Sequence, residues 1–115
     1  MNIYEIYALA GENATDVVKR FGSEAAVEKF ALHFLDDPSY EDLALALSRG
    51  DTKAAFRAAH TLKGIAANLG FNNLYVAASL LTEKLRGNEN ADTYTDFSDV
   101  RTEYSKVVAA IERIK

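Results

Sequence analysis

The chain has 115 residues, 49% hydrophobic and 26% charged, a balance that predicts one compact globular domain and excludes a disordered tail. Its formal charge of −4 supplies no basic surface for nucleic acid, and with no Cys it has no disulfide framework, thiolate zinc site or cysteine nucleophile. No apolar run nears the ~20 residues of a membrane span, and a start carrying Glu5 without basic residues does not read as a signal peptide, so a cytoplasmic protein is expected.

Nineteen Ala and twelve Leu against six Gly and the single Pro38 favour helices with few breaks. Gly11-Glu12-Asn13 divides a short helical segment over residues 3–10 from another over 15–21. Ser23 suits the N-cap of the next helix, with Glu24 in its first turn where the helix dipole favours an acid. That helix carries an apolar stripe of Val27, Phe30, Ala31 and Phe34, and Asp36-Asp37-Pro38 ends it. Asp37 then suits an N-cap, with Pro38 at the first helical position of a segment bearing Tyr40, Leu43 and Leu47. Gly50 stops this segment and Asp51 caps the next.

Three longer helices follow. Over residues 51–69, Ala55, Ala59, Leu62, Ala66 and Leu69 recur at spacings of four and three, and Gly70 closes the helix. Asn72 and Asn73 offer a cap to a second helix with Leu74, Ala78, Leu81 and Leu85, which Gly87 ends. After the polar loop 88–92, a third carries Phe97, Val100, Tyr104, Val107, Ile111 and Ile114. Short loops make sequential helices antiparallel, so the expected fold is all-α. It is an up-down four-helix bundle, core about 23–115, with additional short N-terminal helices in 1–22, all in a single domain. A start at Met and an end at a helix terminus favour a free-standing protein.

Only two imidazoles are available. His33 lies off its helix's stripe without a matching constellation and reads as surface, and Asp36-Asp37 is explained by helix-stop and N-cap duties rather than by a metal. His60 also lies off the stripe of its helix, on the wetter side. Phe56 and Arg57 stand one turn before it, and Lys63, Gly64 and Ala67 one to two turns after. Gly64 costs about 1 kcal/mol against Ala in a helix interior. It either opens the approach to the ring or allows another helix to pack closely. Lys63 can neutralise an anion attached to the ring. If the next helix adjoins this side, Thr82 lies level with His60, flanked by Ser79 and Arg86 about one turn away, which would bring a hydroxyl and a guanidinium near such an anion.

Ala59-His60-Thr61-Leu62-Lys63-Gly64, with Ala67-Asn68-Leu69-Gly70 behind it, resembles the signature of histidine-phosphotransfer domains. Gly50-Asp51 before it and Leu85-Arg86-Gly87 after it also look like that family, and the resemblance runs from about residue 23 to the end. It implies a bundle that shuttles phosphoryl groups between receiver-domain aspartates. In that scheme His60 is the phosphorylated residue, reacting at Nε2; Lys63 steadies the phosphoryl group and Gly64 keeps the site open. The family often has a small hydroxyl residue after that glycine, where this chain has Ile65, placed facing away from His60. Many members carry a Gln at the level of Thr82 to bond the ring.

The resemblance implies response-regulator receiver domains or a hybrid sensor histidine kinase as partners, the receiver bringing Mg²⁺ and the acidic pocket. The chain itself shows no cofactor motif, no metal site and no Gly-rich ATP loop, so a phosphocarrier rather than an enzyme is expected. Phe56, Ala67, Tyr75 and Ser79 are the expected docking surface, with Arg57, Lys63 and Arg86 as a polar rim. The rival expectation is a helical adaptor that binds receivers without phosphotransfer.

Overall fold

The structure, a computed structural model, describes residues 1–114. Among these residues the chain is all-helical, with α1 Ile3–Leu9, α2 Thr15–Phe21, α3 Glu24–Phe34, α4 Ser39–Ser48, α5 Thr52–Leu69, α6 Asn72–Leu85 and α7 Tyr94–Glu112. The predicted stripes point inward. Ala55, Ala59, Leu62, Ala66 and Leu69 of α5 are buried, as are Leu74, Ala78, Leu81 and Leu85 of α6 and Val100, Val107 and Ile111 of α7. α5 packs chiefly on α4 and α6, and α6 on α7. Aromatic rings close the fourth side of this bundle. Tyr40 of α4 stacks on Tyr104 of α7 at 4.0 Å and on Phe97 at 5.8 Å, while Phe34 of α3 meets Tyr104 edge-on.

Side-chain caps fix the starts of α1, α3 and α5. Ser23 Oγ accepts from Ala26 N and Asp51 Oδ1 from Ala54 N, as predicted. Asn2 and Glu5 form an unpredicted capping box that fixes α1. Pro38, not Asp37, occupies the N-cap of α4; Asp37 Oδ1 still accepts from Ser39 N at 2.8 Å, one residue outside the expected position.

The predicted Asn caps of α6 are corrected by the structure. Phe71 is the N-cap residue, with no side-chain cap bond, and Asn72 already lies in the helix. The free amide of Asn73 instead donates to Glu12 Oε2 at 2.7 Å, a partner from the α1–α2 turn. Two further bonds tie the N-terminal helices to the α5–α6 turn: Tyr7 Oη donates to Leu69 O at 2.5 Å, and Arg20 donates to Asn68 O at 3.0 Å. These satisfy carbonyls that end α5 without intrahelical partners. Tyr7 is fully buried and stacks on Phe71 at 4.9 Å. Gly70 turns the chain at φ +76°, a left-handed conformation that calls for glycine, while a Cβ there would make only ordinary contact with Val17 Cβ at 3.4 Å.

The stripe assigned to α3 is also corrected. Val27, Ala31 and Phe34 are buried, but Phe30 is 47% exposed at the margin of the stripe. Its ring leans edge-on against Phe21 of α2 instead of entering the core.

Candidate functional site

His60 sits mid-way along α5, between the buried Ala59 and Leu62, and its side chain is exposed. The helix sets this orientation, because a residue about 100° from the buried stripe cannot share it. Gly64, one turn later, is exposed and helical, and a Cβ built there would meet nothing within 4 Å. No neighbouring helix needs the space. Close internal packing therefore does not explain the glycine, and an open strip of α5 lies beside the imidazole.

The Phe56 ring, with a guanidinium over it, borders His60 on its N-terminal side. The Phe56 ring lies nearly parallel to the imidazole, 6.1 Å between centroids. The Arg86 guanidinium sits over Phe56 at 5.0 Å and donates to both carboxylate oxygens of Glu83. The Arg86 hydrogen bond, followed by the charges of Arg86 and Lys63, holds the Glu83 carboxyl below its ordinary range. Arg86 therefore reaches the site by way of Phe56, already paired.

The sequence-predicted residues divide. Arg57 and Ala67 are exposed, and Phe56, Lys63 and Tyr75 are half-buried. Lys63 Nζ rests over the Tyr75 ring at 5.9 Å, so its ammonium leans toward α6. Thr82 is different: it is fully buried, and its hydroxyl donates to Ala78 O at 2.6 Å within its own helix. The expected hydroxyl facing an anion on His60 is corrected by that burial; the shorter side chain turns inward and bonds back along α6. Ser79 is half-buried, with Oγ enclosed and lacking a hydrogen-bond partner within the protein.

Sequence reasoning missed a second border. His60, Thr61, Gly64, Ile65 and Asn68 of α5 share a groove with Phe30, His33 and Phe34 of α3. Ile65, expected to face away from His60, lines the same groove, because a groove between two helices takes in a wide arc of each. An aromatic residue at the margin of the α3 stripe, one turn from a histidine, was the available signal. Among the described residues no three His, Asp or Glu side chains gather as a metal site, and no helix is long and apolar enough to cross a membrane.

The family model for the Hpt domain matches residues 37–110. No curated protein and no solved structure matches the chain. The matched segment begins at the turn into α4 and ends within α7, so it holds the α4–α7 bundle and leaves out α1, α2 and α3.

Proposed function

The chain belongs to the Hpt domain family, helical-bundle phosphocarriers that serve histidine phosphotransfer in phosphorelays, and on that premise we propose that His60 is its phosphoryl acceptor and donor, exchanging with receiver-domain aspartates. The observation that carries the reading is the exposed imidazole beside a mid-helix glycine that nothing in the fold requires. A mid-helix Gly costs stability, so its retention points to a use for the cleared space. A partner that must bring a phosphorylated acid up to His60 uses it.

In the proposed reaction the neutral imidazole attacks with the lone pair of Nε2. The Nε2–P bond forms as the bond from phosphorus to the aspartate oxygen breaks, and the carboxylate leaves with the electron pair; return transfer reverses both changes. Such transfer depends mainly on in-line positioning and charge neutralisation. Lys63 is one turn from His60 and supplies a cation, and Gly64 admits the partner. Arg57 and Arg86 add positive charge at the rim. Phe56, Ala67 and Tyr75, with Ser79 behind them, form the α6-side docking surface. The receiver would bring Mg²⁺ and the acidic pocket. We assign the chain a monomeric, cytoplasmic phosphocarrier role.

The test is incubation with phosphorylated receiver domains. Acid-labile, base-stable label on the protein, lost in His60→Gln, is the expected result. Binding to receivers without label on either variant would instead assign the chain an adaptor role.

A further inference from the structure

His60 also opens onto the groove between α5 and α3, which has a volume of about 540 Å³. The α3 bank of this groove lies outside the segment shared with the family. It carries Phe30, a large apolar residue that is 47% exposed beside the polar, exposed Glu28 and Lys29. Its ring is held in place before any partner arrives. It packs edge-on against Phe21 at 5.2 Å and against the His33 imidazole at 6.1 Å. An aromatic ring already fixed in position loses little conformational freedom on binding, and such rings are the usual anchors of protein interfaces.

Charge divides the surroundings of His60. Lys63 and Arg86 stand toward the α6 side, Lys63 over Tyr75 and Arg86 over Phe56, while Arg57 lines clefts toward both α6 and α4. Among the described residues the α3 groove is lined by a single carboxyl side chain, Asp37, and by no Lys or Arg, beside Phe30, Phe34, Ile65 and the bare Gly64. A receiver whose acidic pocket met Lys63 and Arg86 over His60 would extend across this apolar groove.

We propose that Phe30 and His33 form a second docking wall for the receiver domain, one that fixes its orientation over His60 and discriminates between receivers. This rests on the phosphotransfer reading above. The shared bundle presents the reactive ring, and the α3 wall adds an aromatic anchor that the shared segment does not contain.

The test compares wild-type protein with Phe30→Ser/His33→Ser across a panel of phosphorylated receivers. Phosphoramidate serves as a small phosphoryl donor that needs no docking surface. The expected result is a tenfold or greater loss in second-order transfer rate with at least one receiver. Labelling by phosphoramidate should stay within twofold of wild type, and Phe30→Tyr should retain most of the transfer. Unchanged transfer with every receiver overturns the proposal. Equal losses with receivers and phosphoramidate overturn it as well, since the wall would then be shaping His60 itself. Loss of a wild-type dimer in the double variant would reassign the face to self-association. Wild-type protein that takes label from no receiver removes the phosphotransfer reading, and this wall with it.

Discussion

The imidazole of His60 and the ring of Phe56, one turn earlier on α5, lie within 14° of parallel. With Thr82 bonded inward to Ala78, the imidazole is bordered by an aromatic ring of its own helix rather than by the hydrogen-bonding side chain expected from α6. Aromatic pairs contribute about 0.5–1.5 kcal/mol beyond the area they bury. Losing that orientation corresponds to a rate change of up to about tenfold. Phe56→Leu is therefore expected to slow phosphoryl transfer about three- to tenfold, with Phe56→Tyr near wild type, as read by rapid-quench time courses. An undiminished rate in Phe56→Leu would remove the ring from the mechanism.

Gly64 separates stability from transfer. A methyl group there meets nothing in the fold, so Gly64→Ala should stabilise the protein by about 1 kcal/mol through helix propensity alone. The same methyl stands where the partner approaches, and transfer should fall; Gly64→Leu should block it with helicity intact. Thermal melts and transfer assays on the two variants check both halves. Normal transfer in Gly64→Leu would show that the cleared strip is not the approach.

Lys63 leans on Tyr75 in the unphosphorylated protein and needs only to swing along its flexible stem to reach a phosphoryl group on His60. Lys63→Ala is expected to slow transfer or shorten the lifetime of the phosphohistidine. Phosphohistidine decay followed by ³¹P NMR distinguishes these, and an unchanged time course in both would exclude the lysine.

Burial pushes the Tyr7 phenol well above its ordinary value of 10.0, with Arg20 opposing and Glu12 assisting. The folded state therefore holds this proton more tightly than the unfolded chain does. The resulting stability is complete below pH 10 and drains away as the pH rises beyond it toward the raised value. Tyr40 and Tyr104, also raised chiefly by burial, act with the same sign. Tyr7→Phe removes the bond to Leu69 O and should cost about 1–2 kcal/mol at neutral pH. It should also flatten the alkaline loss of stability. Urea melts at pH 8 and pH 10.5 measure both effects, and an equal alkaline slope in the variant would contradict the assignment to Tyr7.

The bundle was legible because its signals are local. Stripes at spacings of three and four, Ser23 and Asp51 as caps, and Gly70 as a stop each act within a few residues. The exposure of His60 followed from its angle to the α5 stripe in the same way. What escaped notice depends on partners far along the chain. Glu12 caps α6 from 61 residues away, and no local pattern announces it. Phe30 has a core residue's spacing and became a surface residue because α2 offered its ring an edge. Thr82 was correctly placed on α6, yet its hydroxyl had an acceptor within its own helix. That competition between a local bond and a functional one cannot be weighed by a helical wheel.

The ties from Tyr7, Glu12 and Arg20 to the α5–α6 turn mean that the stretch this chain shares with its family is shorter than the structure that supports it. A fragment cut at residue 37 would keep every residue of the histidine signature. It would also uncover Phe71, leave the Leu69 carbonyl and the Asn73 amide without their partners, and strip away one bank of the groove beside His60. Evolutionary recurrence and mechanical completeness set different boundaries in this protein, and grafting the reactive hairpin elsewhere would require carrying its N-terminal clamp along.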